Sequence, residues 1–318
     1  MPLISVVTPC YNEEGNIREV YRRVKEIFAQ LPAYSYEHIF IDNASTDRTV
    51  EILREMAGED QNLKVIVNAR NFGHTRSPYY AMLQAGGEAV ISLVADLQDP
   101  PEMIPEFLKQ WEAGYKIVVG VKKHSQESPL MFGVRNLYYN LIGRLSDTRQ
   151  IKNFTGFGLY DQKIMEVFRS LDDPSPYFRG MITEIGYEVC ELEYLQPRRS
   201  RGITKNNFYI LFDLAMLGIT NHSKIPLRLA TLGGFSLAVL SLLVALGYLI
   251  YKLIYWKEFS LGMAPLVIGL FFFSAVQLFF TGVMGEYIGS IHTRVMKRPL
   301  VIEKERIPAG WHTRSVLR

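Results

Sequence analysis

The chain contains little cysteine and opens without a basic leader. Its two cysteines, Cys10 and Cys190, are too few for a disulfide framework and favour a reducing compartment. The first apolar run, in MPLISVVTPCYNEE, is short and ends in polar residues, so a secretory signal peptide is not expected. We therefore expect the amino-terminal part to stay in the compartment where it is made.

The chain also lacks a strong net charge. The formal net charge is +3, which does not favour nucleic acid as a partner. Basic residues cluster instead around an apolar section, as Arg198, Arg199, Arg201 and Lys205 before it and Arg294, Lys297 and Arg298 after it. Such clusters fit a phosphate group or an anionic membrane surface, and the alternative is a solvated run of charge.

Two long segments lack charged residues altogether. Leu229 to Tyr251 and Phe259 to Gly285 contain no Asp, Glu, Lys or Arg. As a helix the first would span about 34 Å at about 1.5 Å per residue, enough to cross the hydrocarbon core of a bilayer. The alternative, two buried core helices, is disfavoured by the length of the uncharged runs. We therefore predict a transmembrane hairpin over residues 229–288.

Both ends of a two-span hairpin lie on the same side of the membrane. Lys224, Arg228 and the basic residues at 294–298 flank the hairpin, against Lys252 and Lys257 in its connector. The positive-inside rule therefore predicts a protein of the cytoplasmic (inner) membrane whose large domain faces the cytoplasm.

The remaining segments are assigned around this hairpin. Residues 1–205 are predicted to form a soluble domain, and residues 289–318 a cytoplasmic tail. Residues 206–228 mix aromatic and apolar side chains with few charges, which predicts an amphipathic helix in the membrane interface. The alternative is an ordinary helix packed on the soluble domain.

The amino-terminal half alternates short β-branched runs with helix-length polar segments. Strands are predicted at Leu3 to Thr8, His38 to Ile41, Leu63 to Val67, Ala89 to Val94 and Lys116 to Val119. Helices are predicted over residues 13–30, 47–56, 74–85 and 129–146. This succession is typical of an α/β domain with a mostly parallel sheet. Ligands of such sheets bind at the carboxyl ends of the strands, where the connecting loops converge.

Two of those loops are rich in polar residues. Thr8 to Glu14 closes the first strand and opens a helix, whose free N–H groups favour an anion or a polar ring edge, although Asn12 could simply cap the helix. Ile41 to Thr49 begins with Asp42 at the end of a strand, where a carboxylate can hold a base or a ribose. The alternative is that a hydroxyl residue of this loop caps the next helix.

A third loop, Ala95 to Glu102, contains three acidic residues and a glutamine. Asp96 and Gln98 alternate along what we expect to be an extended chain, so both side chains are expected to face one ion. Hard divalent cations take oxygen ligands and usually retain waters and substrate phosphates. This predicts Mg²⁺ or Mn²⁺ bridging a nucleotide diphosphate, and the alternative is a plain helix entry before Pro100 and Pro101.

Together these loops resemble those of the family-2 glycosyltransferases of the GT-A fold. Within that family they are similar to the dolichyl-phosphate-mannose-synthase-like transferases, which use polyprenyl phosphates. The matching motifs are Val7-Thr8-Pro9-Cys10-Tyr11-Asn12-Glu13, Asp42 to Thr49, Arg70-Asn71-Phe72-Gly73 and Val94 to Glu102. The carboxyl-terminal motifs Gly218-Ile219-Thr220, Pro226-Leu227-Arg228 and Gly285-Glu286-Tyr287-Ile288-Gly289 resemble two-span bacterial members that glucosylate undecaprenyl phosphate.

This resemblance covers nearly the whole chain and implies an activity. Residues 1–205 would be a cytoplasmic GT-A (Rossmann-like) catalytic domain that transfers a hexose, with inversion, from UDP-glucose to a polyprenyl phosphate. The alternatives are GDP-mannose or another nucleotide sugar as donor, and a decayed nucleotide-binding membrane scaffold. A processive polysaccharide synthase is disfavoured because the Q-x-x-R-W motif is absent. A homo-oligomer would be unsurprising for a short hairpin anchor.

The resemblance also implies site residues. The donor would be bound by Pro9, Tyr11, Asn12, Glu13, Asp42, Asn71, Gly73, Asp96 and Gln98, with Asp96 and Gln98 holding the metal. Catalysis would depend on Asp96, Arg135, Arg199, Arg201 and Lys205, the arginines and lysine serving the leaving diphosphate and the acceptor phosphate.

Two positions depart from the family pattern. Asn43 stands where a second acid is common, and Val94 replaces the first acid of the metal loop. Asp99 is therefore expected to support the metal loop rather than to bind the ion. The segment from Thr155 to Leu159 lacks the Asp and Arg usual in the matching family loop, so no functional residue is assigned there.

Overall fold

The computed structural model describes residues 1–123, 151–197, 225–255, 263–309 and 311. Its strands are β1 (Leu3–Cys10), β2 (Ser35–Asp42), β3 (Leu63–Asn68), β4 (Ala89–Ser92), β5 (Ile117–Lys122), β6 (Phe154–Asp161), β7 (Val189–Tyr194) and β8 (Glu303–Ile307). Its helices are α1 (Ile17–Ala29), α2 (Thr49–Glu59), α3 (Gly73–Gln84), α4 (Ile104–Glu112), α5 (Gln162–Leu171), α6 (Phe178–Glu184), α7 (Ile225–Ile254) and α8 (Met263–Val295), with a short 3₁₀ helix at Pro101–Met103.

The strands form one mixed sheet in the order β7-β5-β6-β4-β1-β2-β3-β8. β1 pairs in parallel with β2 and β4, and β2 pairs in parallel with β3. β6 runs antiparallel to both β4 and β5, while β5 and β7 are parallel. The predicted α/β class, with a mostly parallel GT-A-like sheet, is confirmed.

Parallel pairing brings the ends of the central strands to one edge of the sheet. Cys10 at the end of β1 lies opposite Asp42 at the end of β2. Val7 of β1 lies opposite Ser92 at the end of β4. We call this edge, where the loops after β1, β2, β3 and β4 emerge, the carboxyl edge.

Helices cover both faces of the sheet. A front core lies beneath α1, α2 and α4, and a back core lies beneath α3, α5 and α6. The buried residues of α1 are Ile17, Val20, Val24 and Phe28. Their spacing of three and four residues places a single apolar stripe against the sheet. Strands covered on both faces are nearly continuous apolar runs, which explains why β1 to β4 are visible in the sequence.

The predicted strands and helices that fall on described residues are present with shifted ends, and three further strands, β6, β7 and β8, are not predicted. β4 ends at Ser92 rather than Val94, because the chain turns into the next loop there. β6 carries Gly156 and Gly158, and β8 reads EKERI, so neither has the apolar pattern of a core strand. The helix predicted over 129–146, and residues 206–224 of the predicted interfacial helix, lie outside the described residues.

The segment predicted as a tail, residues 289–318, contains a strand of the main sheet. β8 pairs antiparallel with β3, and the N–H of Ala69 donates to the carbonyl of Ile302 at 2.8 Å. The Tyr80 hydroxyl donates to Glu303 Oε1 at 2.6 Å. The chain is therefore attached to the soluble domain both before and after its two long helices.

The structure has two helices that are long and apolar enough to cross a membrane. The apolar segments are Ile225–Val244 in α7 and Gly269–Val295 in α8, and neither is buried inside the protein. A core helix of a soluble protein would be largely buried. By length and composition the two predicted spans are confirmed, and exposure of their apolar side chains supports membrane association.

The end of α8 lies close to the carboxyl edge. Arg294, in the last turn of α8, lies 3.5 Å from Asp173. The neighbouring Pro174 accepts a hydrogen bond of 2.9 Å through its carbonyl from Arg76 Nε, in the first turn of α3. Because α3 starts just after β3, the loop that contacts α8 lies at the carboxyl edge.

The segment between α8 and β8 also leads to the carboxyl edge. Glu303 lies opposite Asn68, the last residue of β3. The chain between Val295 and Glu303 can bridge at most about 28 Å, at about 3.5 Å per residue. Together with the contact of Arg294 with Asp173, this connection keeps the carboxyl-terminal end of α8 near the carboxyl edge.

We expect loss of β8 to destabilise the soluble domain. Ending the chain after Ile302 would remove the pairing with β3 and the 2.8 Å contact of Arg54 with Glu305. The expected loss is about 2–4 kcal/mol of unfolding free energy, with aggregation through the open edge of β3. Thermal unfolding of the detergent-solubilised protein would measure it. A chain ending after Trp311 keeps β8 and serves as the control, and equal unfolding midpoints would contradict the prediction.

A buried histidine predicts the response of stability to acid. His38 Nε2 lies 2.8 Å from Thr8 Oγ1, and burial lowers the pKa of His38 to about 3. Below pH 6.5 the unfolded chain binds a proton at this imidazole that the folded chain does not bind. Stability should therefore fall as pH falls from about 6.5 towards 4, by up to about 1.4 kcal/mol per pH unit from this group. Denaturant unfolding should show a shallower fall in His38→Gln, and parallel pH curves would contradict this.

Candidate active site

The first two loops of the carboxyl edge are joined by hydrogen bonds. Asn12 has a φ of 56°, its N–H donates to Ser45 Oγ at 2.8 Å, and its Oδ1 accepts from the N–H of Thr46 at 2.8 Å. Asparagine tolerates this left-handed backbone better than most residues. Asn12 therefore connects the two loops and does not cap α1, which begins at Ile17.

Further bonds continue this connection towards α2. The N–H of Glu13 donates to Thr49 Oγ1 at 2.9 Å, and the N–H of Arg48 donates to Glu14 Oε2 at 3.0 Å. α2 begins at Thr49, and the side chain of its N-cap residue, Arg48, makes no capping hydrogen bond. The hydroxyls of this loop bind the facing loop instead. Because these loops are already held in place, binding a nucleotide here would cost little entropy for ordering them.

Asp42 lies buried beneath the second loop. Its Oδ2 accepts from the N–H of Ser45 at 2.9 Å, and the Ser45 hydroxyl donates to its Oδ1. Burial raises the pKa of Asp42, while the hydrogen bonds from Ser45 and the backbone oppose that rise. The group is an acceptor held in one orientation, as recognition of a base or ribose requires.

Asn43 is the centre of a buried amide network. Its Nδ2 donates to Asn71 Oδ1 at 2.9 Å and to the carbonyl of Gly73 at 3.1 Å. Its Oδ1 accepts from the N–H of Phe72 at 2.9 Å and from Asn68 Nδ2 at 3.2 Å. A carboxylate could not donate the first two bonds. The absence of an acid at this position therefore has a structural reason: the amide network fixes the loop after β3 against the loop after β2.

The metal loop is turned rather than extended. Leu97 has a φ of 59°, and the N–H of Gln98 donates to Asp96 Oδ1 at 3.1 Å. The expectation of an extended chain is therefore wrong, because the loop folds back on the Asp96 carboxylate. Asp96 is nearly buried and Gln98 half-buried. Their assignment as metal ligands stays a prediction.

Asp99 lies behind this turn. The Tyr194 hydroxyl, at the end of β7, donates to Asp99 Oδ1 at 2.7 Å. Burial raises the pKa of Asp99 to about 6, against the opposing effects of Tyr194 and Lys122. Because this carboxyl is occupied by Tyr194, its contact is consistent with a supporting role rather than a direct ligand role.

A cation at this loop would depend on its substrate for most of its ligands. Among the described residues, no group of three or more His, Cys, Asp or Glu side chains could hold a metal ion. Asp96 offers one carboxylate and Gln98 one amide oxygen. Mg²⁺ is commonly bound by one or two carboxylates together with substrate phosphates and waters. The residues present fit a cation that arrives with a nucleotide diphosphate.

The predicted donor residues lie together. Pro9, Tyr11, Asn12, Glu13, Asp42, Asn71, Gly73, Asp96 and Gln98 all lie at the carboxyl edge, at the ends of β1 and β2 or in the loops after β1, β2, β3 and β4. The remaining predicted residues, Arg135, Arg199, Arg201 and Lys205, lie outside the described part of the chain. Asn43 and Tyr194 are missing from the prediction, since their roles depend on contacts between distant segments.

Comparison with known proteins identifies the family of this chain. Residues 5–168 match the family described as Glycosyl transferase family 2. The chain is similar to the uncharacterized glycosyltransferase YkcC of Bacillus subtilis, with 35% identity over 94% of this chain and 92% of that protein. It is also similar to the SfII prophage-derived bactoprenol glucosyl transferase of Shigella flexneri, with 33% identity over 95% of this chain and 97% of that protein.

Similarity to solved structures is more distant. Mannosyl-3-phosphoglycerate synthase from Rubrobacter xylanophilus matches with 14% identity and a TM-score of 0.49, over 73% of this chain and 75% of that one. At this level the likeness carries no argument about activity.

The amide network predicts that Asn43→Asp is harmful. The carboxylate would face Asn71 Oδ1 and the Gly73 carbonyl without a proton to donate. We expect a loss of about 2–3 kcal/mol of stability at pH 7.5, which should shrink at pH 5.5 as the carboxyl gains a proton. Denaturant unfolding at the two pH values would measure this. Gln61→Glu adds the same charge at an exposed turn, and an equal effect of both variants would contradict the prediction.

Proposed function

Because the chain belongs to glycosyl transferase family 2, we propose that it transfers a hexose from a nucleotide diphosphate to a polyprenyl phosphate at a membrane surface. One relative is named a bactoprenol glucosyl transferase, and it aligns over 95% of this chain, including the two long apolar helices. Bactoprenol is a polyprenyl alcohol, so that similarity supports a polyprenyl phosphate as the acceptor.

The observation that carries this proposal is the position of the carboxyl edge. The loops that would bind the donor emerge at the edge that lies near the carboxyl-terminal end of α8, where Arg294 contacts Asp173. A polyprenyl chain leaves a bilayer at a cost of roughly 0.8 kcal/mol per CH₂. Its phosphate must therefore be used where it emerges, and this arrangement supports a lipid acceptor over a soluble one.

Transfer of a hexose to a phosphate requires little acid–base catalysis. An oxygen of the acceptor phosphate attacks the anomeric carbon while the bond from that carbon to the nucleotide diphosphate breaks. A phosphate monoester is already anionic near neutral pH, so it needs no strong base. The work of the protein is positioning and stabilisation of charge. Asn12, Asp42 and Asn43 fulfil the first need by fixing the loops that would hold the donor.

We further propose that Asp96 and Gln98 hold Mg²⁺ or Mn²⁺. When bound, the cation would offset the negative charge of the leaving diphosphate. The turn at Leu97 holds the Asp96 carboxylate through the Gln98 N–H, and Asp99 and Tyr194 support the loop from behind. Arg135, Arg199, Arg201 and Lys205 are proposed to supply further positive charge to the phosphates.

UDP-glucose is the proposed donor, and the cytoplasmic side the proposed location of the soluble domain. The glucosyl transferase name of the relative supports the sugar. The basic residues Arg228, Arg294, Lys297 and Arg298, near the soluble ends of the hairpin, support the orientation. GDP-mannose is the alternative donor. A decayed scaffold is the alternative from another class, supported by Val94 in place of an acid.

A transfer assay tests the proposal. Detergent-solubilised full chain would be mixed with undecaprenyl phosphate, Mg²⁺ or Mn²⁺, and radiolabelled UDP-glucose or GDP-mannose in parallel. We expect label in the lipid phase from UDP-glucose, and its loss with a chelator. Asp96→Asn should lower the rate by about a hundredfold or more, because an amide oxygen can keep the bond to the Gln98 N–H but lacks the charge.

The matched control is Asp172→Asn. Asp172 is exposed and has a φ of 43°, which asparagine tolerates, so this variant should keep the wild-type rate. Label from GDP-mannose alone would replace the proposed sugar. Intact nucleotide binding without transfer from either donor would favour the scaffold.

A further inference from the structure

One arginine of the soluble domain has no partner among the described residues. Eight other arginines of the described parts of residues 1–197 each donate to an oxygen: Arg18, Arg22, Arg23, Arg48, Arg54, Arg70, Arg76 and Arg169. Arg179, the second residue of α6, is half-buried and has neither an acceptor nor an acidic partner there. A partly buried guanidinium without a counter-charge is costly, and a bound anion would remove that cost.

The backbone at Arg179 is fixed by its neighbour. The Phe178 ring lies 5.1 Å from Tyr160, 5.5 Å from Phe168 and 6.2 Å from Tyr79, measured between ring centroids. These residues belong to the back core. Arg179 is therefore presented from a rigid element, as a binding site requires.

Arg179 follows a loop that contacts both α3 and the end of α8. α6 packs on α3, since the ring of Phe178 lies 6.2 Å from that of Tyr79. Burial and, after it, the charge of Arg179 lower the pKa of His74 in the first turn of α3. Arg76 lies in the same turn and donates through Nε to Pro174. Asp173, which precedes Pro174, contacts Arg294 at the end of α8.

The position of Arg179 favours the acceptor over the donor. The donor loops after β1, β2 and β4 lead to α1, α2 and α4 over the front core, and the donor loop after β3 leads to α3, which covers the back core beside α6. In a displacement with inversion, the attacking phosphate and the leaving diphosphate lie on opposite sides of the anomeric carbon. Because Asp173, six residues before Arg179, contacts Arg294 at the end of α8, Arg179 is placed on the side from which a lipid phosphate would attack.

We propose that Arg179, with the guanidinium N–H groups of Arg76 that do not bind Pro174, binds the phosphate of the polyprenyl phosphate acceptor. This inference rests on the proposed function. The guanidinium group suits the task because it grips a phosphate through two parallel donors. The phosphate would then sit between the end of α8 and the donor loops.

Binding of a short acceptor tests this with purified full-length protein in detergent. Farnesyl phosphate, farnesol, inorganic phosphate and UDP would be titrated by microscale thermophoresis. In Arg179→Gln we expect about tenfold or more weaker binding of farnesyl phosphate, with UDP binding within about twofold of wild type. Arg179→Lys should lie between the two. Arg18→Gln removes an exposed arginine of α1 and should leave all affinities unchanged.

The outcomes separate the possible ligands. Equal loss of UDP binding in Arg179→Gln would assign the residue to the donor diphosphate and overturn the proposal. Inorganic phosphate binding as tightly as farnesyl phosphate would mean a general phosphate site and overturn the lipid assignment. A lower unfolding midpoint in Arg179→Gln, but not in Arg179→Lys, would mean a structural charge and would also overturn it.

Kinetics separate this inference from the proposed function. Transfer to undecaprenyl phosphate should show a raised KM for the lipid in Arg179→Gln and an unchanged KM for the donor. Wild-type transfer with no change of either KM in Arg179→Gln would overturn only the role of Arg179. Farnesyl phosphate binding that depends on Arg179, in a wild type that transfers no sugar, would overturn only the proposed function.

Discussion

The parallel pairing of β1 with β2 and β4 is the constraint on which the rest of the structure depends. It brings Cys10 level with Asp42 and ends β4 close by, so three loops start from the same edge. β3 pairs in parallel with β2, so the loop after β3 starts there too. Only because these loops start together can Asn12 bond to the loop after β2, and Asn43 to the loop after β3. The site is therefore a set of contacts between segments that are distant in sequence, held by a register set in the core.

The two long helices of the hairpin are attached to the same sheet. α8 leads into β8, which completes the sheet beside β3, and Arg294 contacts the loop between α5 and α6. The soluble domain is thus held from two directions at the edge that carries the loops. A single flexible tether would leave that edge free to face away from the lipid.

What could be predicted from the sequence follows from burial. β1 to β4 are covered on both faces and read as apolar runs, so the α/β class and the carboxyl edge are predictable. β8 is charged because it lies at the end of the sheet, and β6 carries glycines, so neither has a pattern to find. The turn at Leu97 was not predictable from alternation. Asn43 and Arg179 have no local signal in the sequence. The hydrogen bonds of Asn43, and the absence of a partner for Arg179 among the described residues, depend on neighbours from other segments.

The location of β8 also bears on how the protein is made. Translation proceeds from the amino terminus, so β1 to β7 leave the ribosome before either long helix, and β8 leaves after both. Until then β3 is an edge strand whose backbone is open to pairing with another chain. β8 can pair with β3 only after the hairpin has been synthesised. The soluble domain is therefore completed only after its membrane anchor has been synthesised.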